Sequence, residues 1–190
     1  MVWTGAFGYA VDMNTVAFLV SKEGIEQAEL TEPWAAVEKA GGRPQLISME
    51  AGKVQGYNHL TPADTFPVDQ TVVDADPSSF DALVLPGGVA NGDLLRWQRP
   101  AQTFVREFVR TGKPIAVICH GGWILIEVDA VDARRITSWP SLATDYRNAG
   151  AESVDEQLVV DTNGPFPLVS SRKPDDLPAF CEELVSQLNR

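Results

Sequence analysis

The sequence predicts an α/β fold in which a mostly parallel sheet lies between two layers of helices. Three observations carry this prediction. Short apolar, β-branched runs recur at residues 15–20, 45–48, 81–85 and 115–119; amphipathic helical stretches separate several of them; and the connections are short. Strands covered on both faces read as continuous apolar runs, and parallel strands need crossover helices to return the chain. In such sheets ligands bind outside the carboxyl ends of the strands, where the strand order reverses.

The elements follow in order. Residues 15–20, Thr-Val-Ala-Phe-Leu-Val, form a central strand. Thr31, Glu32 and Pro33 supply a capping residue and an early proline for a helix that ends near Gly41 and Gly42, which leaves 23–30 as an acidic loop at the strand's carboxyl end. Residues 45–48 give the next strand. Between 50 and 74, Gly52, Gly56, Pro62 and Pro67 favour short edge strands and turns over a long helix. The strand at 81–85 is halted by Pro86, Gly87 and Gly88, whose small size lets the backbone approach a neighbour closely. From Pro100 the residues Ala101, Phe104, Val105, Phe108 and Val109 fall at helical spacing, and Gly112 is the expected stop. Residues 123–128 read as helix, and 158–160 and 168–170 as strands. In the tail, Leu177, Phe180, Cys181, Leu184, Val185 and Leu188 form one helical stripe, which predicts a core position for Cys181.

At 190 residues the chain fits one domain, taken as 14–190 with 1–13 as an N-terminal extension. A formal charge of −11 and an isoelectric point near 4.5 argue against nucleic acid or an anionic membrane as partner, because both require a basic patch. Arg134-Arg135 and Arg172-Lys173 read as solvated surface. Two cysteines do not make a disulfide framework, so a reducing cytoplasm is the simpler home. The first residues lack a basic flank and a continuous apolar stretch, hence make a poor signal peptide, and no run is long enough to span a bilayer. With His59 and His120 the only histidines, the chain offers no metal-ligand spacing, and no metal or cofactor is expected.

The chemistry concentrates at Cys119-His120-Gly121-Gly122, where the apolar run from Ile115 ends in a nucleophile and turns at once toward a helix. This geometry exposes one reactive side chain, although Val117 leaves the symmetric Gly-x-nucleophile-x-Gly pattern incomplete. A buried cysteine merely finishing a core strand is the plain alternative. A thiol acts as its thiolate, and a helix beginning beyond His120 would lower its pKa while the glycines and nearby amides form an oxyanion hole. His120 is either a general base or acid, or a turn residue bonded to backbone. An acidic residue from 23–30, driven protonated beside the sulfur, could donate a hydrogen bond to it; a solvated loop is the alternative.

Residues 81–88, 116–121, 137–141, 147–151 and 170–177 together resemble the ThiJ/PfpI family over about residues 14–188. The resemblance implies a flavodoxin-like three-layer α/β/α sandwich of the class I glutamine-amidotransferase type, assembled as a homodimer or homohexamer. It implies one of several activities: intracellular peptidase, glutathione-independent glyoxalase, protein deglycase or general stress protein. It carries a nucleophile role to Cys119, a base or acid role to His120, the buried carboxyl to Glu26, and oxyanion support to the amides of Gly88, His120 and Gly121. In the peptidase-like branch an acidic residue of a neighbouring subunit orients the histidine, and the matching position is Asp93. Gln27, Gly92 and Gly122 depart from the family's usual residues, the last two standing where proline is common. The leading expectation is a stress-response enzyme whose Cys119 attacks methylglyoxal or a glycated amine. A peptidase forming an acyl-enzyme, and a redox sensor or holdase whose Cys119 is oxidised to a sulfinic acid, are the alternatives.

Overall fold

A computed structural model describes residues 13–190. The expectations for residues 1–12, the N-terminal extension and the missing signal peptide, lie outside the described residues. β1 (Thr15–Leu19) is central, flanked by β3 (Arg43–Ser48) on one side and β7 (Ala82–Leu85) on the other. Beyond β7 come β8 (Ile115–Ile118), β12 (Leu168–Ser171) and β11 (Leu158–Asp161), and beyond β3 lies β6 (Gln70–Thr71). Every pairing in this seven-stranded sheet is parallel except that of β11 with β12. The order β3-β1-β7-β8-β12 is the flavodoxin-like doubly wound arrangement, and its switch point falls between β1 and β7.

Alternation along the strands builds two cores. Ala17 and Leu19 of β1 face one side with Leu83, Leu85, Ile115 and Val117, packed under α3 (Arg99–Thr111), α4 (Trp123–Glu127) and α5 (Ala143–Asn148). Val16 and Phe18 face the other with Val84, Ala116 and Ile118, under α1 (Gln27–Lys39) and α6 (Leu177–Leu188). A period of two on strands and 3.6 on helices is sufficient to produce this sandwich. Gly112 closes α3 in the left-handed conformation, φ 72°, as its sequence position predicts.

The segment 50–74 forms the predicted short strands. β4 (Lys53–Asn58) and β5 (Thr61–Pro67) make a hairpin, which pairs with β2 (Glu23–Glu26) in a second, three-stranded sheet. A two-stranded pair, β9 (Arg135–Ile136) with β10 (Glu152–Ser153), completes the strands, and α2 (Val89–Arg96) follows β7.

Three expectations are corrected. The helix predicted to begin at Thr31 begins at Gln27, so Glu29 lies in its first turn and Pro33 inside it. Thr31 does not cap: its hydroxyl donates back to the Gln27 carbonyl at 3.1 Å, a bond available only within a helix. Arg134 is buried, not solvated; its Nε lies 3.2 Å from Asp161 Oδ2, and Nη2 donates to the Asp161 and Phe166 carbonyls at 2.9 Å. Arg172 likewise pairs with Asp176 and Asp155. Cys181 is half-buried at the margin of the α6 stripe, and burial pushes its thiol up to about 11.

Candidate active site

Cys119 continues the line of β8, its amide donating to the Ser171 carbonyl at 3.0 Å, and then breaks from it with φ 59°. A left-handed backbone at a residue bearing a side chain is strained, and such strain collects at functional turns. The Gly121 amide closes the turn on the Ile118 carbonyl at 2.9 Å. A Cβ at Gly121 would overlap the Leu85 carbonyl and lie 2.5 Å from that of Pro86, so only glycine lets the turn lie against the end of β7.

The turn after β7 supplies the other wall. Gly88 has φ 94°, and its amide, with that of His120, faces the Cys119 sulfur and favours its ionised form. Asn91 is fully buried and clamps this turn to the one after β1: its Nδ2 donates to the Pro86 and Gly87 carbonyls at 2.8 and 3.1 Å, and its Oδ1 accepts from Ser21 N at 2.7 Å.

The carboxyl beside the sulfur belongs to Glu29, not to Glu26 as expected. Glu29 is completely buried and its Oε2 accepts from Gly87 N at 2.9 Å. A Cβ on Gly87 would overlap this oxygen and lie 2.6 Å from Cys119 Cβ, which shows how closely the two side chains approach. Burial first, then the neighbouring Glu26 charge, push the Glu29 carboxyl up to about 8. Glu26, still extended as the residue before α1, lines the cavity and accepts from His59 N at 3.0 Å on the β4–β5 hairpin. The earlier start of α1 is what exchanges the two glutamates.

Burial also raises the Cys119 thiol well above its usual range, aided by the charge that Glu29 bears when ionised and opposed by the two amides. The expected lowering by a helix terminus is overturned, since α4 has five residues and the sulfur is almost wholly desolvated. At neutral pH Glu29 is mostly protonated, which replaces repulsion with an O–H donor beside the sulfur.

Although adjacent side chains usually diverge, the strained Cys119 backbone brings His120 back, with Nδ1 3.2 Å from the sulfur. Its Nε2 lies 3.4 Å from Ser141 Oγ, and its ring meets Trp123 edge-on at 5.5 Å and stacks on Trp139 at 6.0 Å. Burial in this aromatic setting holds His120 down to about 4, so it is neutral near pH 7. Asp93 is exposed on α2 and lines the same cavity, but makes no hydrogen bond to His120 within the chain. Gly121 is also displaced from its expected role, because its amide is spent on Ile118.

The cavity is open and about 780 Å³, a size suited to a small molecule or the end of a side chain. Sequence reasoning missed Glu29, Asn91, Ser141 and the two tryptophans. Only Glu29 had a usable signal, as the second acid of the Glu26-x-x-Glu29 run. Among the described residues no cluster of three metal-ligating side chains occurs.

The departures at 92 and 122 have local causes. A Cβ at Gly92 would lie 2.5 Å from the His120 carbonyl, so glycine lets α2 pack on the nucleophile turn. At Gly122 a Cβ would overlap the Tyr146 hydroxyl, which is buried without a hydrogen-bond partner. Gly122→Ala should therefore destabilise by about 1–3 kcal/mol, and adding Tyr146→Phe should recover most of the loss. Denaturant titration of both single variants and the double decides this; additive losses would remove Tyr146 as the cause.

A doubly wound sheet carrying a strained cysteine at the tip of one strand, backed by an adjacent histidine and a buried carboxyl, defines a flavodoxin-like protein organised around one thiol. The chain belongs to the DJ-1/PfpI family, whose sequence profile matches residues 14–187. It is 40% identical over 177 residues to "Protein/nucleic acid deglycase 2" of Escherichia coli (strain K12), covering 91% of this chain and 96% of that one. It is 39% identical over 169 residues to "General stress protein 18" of Bacillus subtilis (strain 168), covering 87% and 92% respectively. The crystal structure of a two-domain protein with DJ-1/ThiJ/PfpI-like and ferritin-like domains from Anabaena variabilis superposes with a TM-score of 0.83 at 33% identity; it covers 93% of this chain, which spans half of that one. Among the described residues no helix is long and apolar enough to cross a membrane.

Proposed function

We propose that this chain is a cysteine-dependent enzyme of glyoxalase or deglycase type, acting on methylglyoxal or glycated amines in a cytoplasmic stress response. The observation that carries the reading is the strained Cys119, facing an open cavity with its sulfur among the Gly88 and His120 amides and the Glu29 carboxyl. The names of the E. coli and B. subtilis relatives support it.

Cys119 rests as a thiol. As the sulfur adds to the aldehyde carbon, neutral His120 takes the thiol proton through Nδ1 and returns it to the carbonyl oxygen, giving a hemithioacetal. The Gly88 and His120 amides stabilise negative charge on sulfur while the proton is in transit. For methylglyoxal, moving one proton from the former aldehyde carbon to its neighbour and the hydroxyl proton to the ketone oxygen gives a thioester, which water hydrolyses to a 2-hydroxy acid and the free thiol.

Methylglyoxal consumption and release of free amine from methylglyoxal-treated N-acetyllysine test the proposal. Cys119→Ser should lower both by about a thousandfold or more. Turnover of neither substrate would overturn the reading, and cleavage of a fluorogenic peptide in its place would favour the peptidase, with Asp93 acting across a subunit boundary.

A further inference from the structure

We infer that the Cys119 cavity is a charge filter, admitting neutral and cationic carbonyl adducts, such as those on arginine and lysine side chains, and turning away anionic ones such as glycated nucleotides and phosphorylated aldehydes. This rests on the carbonyl reading above, and its test is independent of turnover.

Glu23 and Glu26, at the two ends of β2, and Asp93 on the adjoining α2 surround the way to the sulfur. Among the described residues no lysine or arginine lines the cavity. Lys22 is exposed beside Glu23 without lining it, and Lys173, next to the lining residue Pro174, pairs with Asp175 at 3.0 Å. Glu29 is mostly neutral near pH 7, as is His120, so neither alters the sign. The Gly88 and His120 amides, which could otherwise hold an anion, face the sulfur.

An incoming phosphate or carboxylate thus meets three acids and no lysine or arginine, and the lining His59 has its Nδ1 paired with Glu26 Oε2 at 3.7 Å, on a chain whose net charge is already −11. A cleft lined by one sign of charge focuses its field on small ligands. A guanidinium or ammonium finds the opposite: carboxyl groups at the entrance and the Trp139 ring, 36% exposed, as a cation–π surface. Trp123 offers less, since the Arg96 guanidinium already lies over its ring at 4.9 Å.

Methanethiosulfonate probes measure the filter directly. The sulfur of Cys119, losing its proton to solvent, attacks the reagent's sulfenyl sulfur; an S–S bond forms and methanesulfinate leaves. The trimethylammonium-ethyl, methyl and sulfonatoethyl reagents share this chemistry but carry charges of +1, 0 and −1. Rates at Cys119, followed by peptide mass spectrometry with Cys119→Ser to separate Cys181, should give a cation-to-anion ratio about tenfold or more above that of 2-mercaptoethanol in low salt. The excess should shrink several-fold in 0.5 M NaCl and in Glu23→Gln/Asp93→Asn. A ratio equal to that of 2-mercaptoethanol, one insensitive to both changes, or failure of Cys119 to react with any probe would overturn the inference. If the filter operates but no carbonyl turns over, the functional reading fails and the filter stands.

Discussion

Glu29→Gln should abolish a fall in stability that the native protein undergoes as pH rises toward 8. The Glu29 carboxyl is pushed from an ordinary 4.5 to about 8, chiefly by burial, so between these values the folded chain holds a proton that the unfolded chain releases. Its contribution is fully present below about pH 4.5 and is lost as pH rises to 8, at about 1.4 kcal/mol per pH unit. His120 acts in the opposite sense. Lowered from 6.5 to about 4, it contributes stability that is complete above 6.5 and lost as pH falls toward 4. The two slopes therefore oppose one another between about 4.5 and 6.5, and the Glu29 loss emerges between 6.5 and 8. Over that window it is about 2 kcal/mol, or roughly 4–8 °C in Tm for a chain of this length. Glutamine can still accept from Gly87 N and donate to sulfur, but it cannot ionise. Melting curves at half-unit steps from pH 5 to 8.5 should show the native protein losing stability relative to the variant throughout. A constant difference between them would mean that Glu29 is ionised across the range and cannot be the donor to Cys119.

Gly88→Ala should damage both stability and the thiol. Its φ is 94°, and a Cβ there would overlap the Gly24 carbonyl and lie 2.7 Å from Glu26 N, both of them backbone atoms that cannot rotate away. The turn must move, taking with it the amide that faces the sulfur. A loss of about 3 kcal/mol or more is expected, from overpacking added to left-handed strain. The Cys119 thiosulfonate rate should drop by roughly tenfold or more once an amide no longer supports the sulfur anion. Gly41→Ala is the control, having a similar φ of 83° and nothing within 4 Å of the added carbon. It should cost about 1–2 kcal/mol of strain alone and leave Cys119 unaffected. Chemical denaturation and thiol kinetics on both variants decide the point: equal losses would leave only the φ penalty at Gly88, with no close approach.

The strands and the main helices were legible because each carries its own periodicity. Residues 16–20, 82–85 and 115–118 are apolar on both faces, as parallel strands between two helical layers must be, and Gly112 announced the end of α3. The start of α1 was not legible. Thr31, Glu32 and Pro33 have the composition of a cap, and only the pairing of β2 with β4 shows that the strand ends at Glu26 and leaves Gln27 to begin the helix. That shift of four residues decides which glutamate is buried. Arg134 misled for a similar reason: its partners are Asp161 and the Asp161 and Phe166 carbonyls, about thirty residues away in the chain.

By itself the sequence determined the doubly wound sheet, the place of Cys119 at a strand's carboxyl end and the presence of His120 beside it, because local pattern and adjacency are written along the chain. Only the tertiary structure decided which carboxyl meets the sulfur, that the amides facing it are those of Gly88 and His120, that Gly121 spends its own on the turn, and that Trp123, Trp139 and Ser141 surround the imidazole. The contacts of Glu29, Gly88, Trp139 and Ser141 join segments about twenty to ninety residues apart, and the local ones follow from the left-handed backbone at Cys119. The pKa values of the site follow from them too, since desolvation depends on what covers a group and not on its neighbours in sequence.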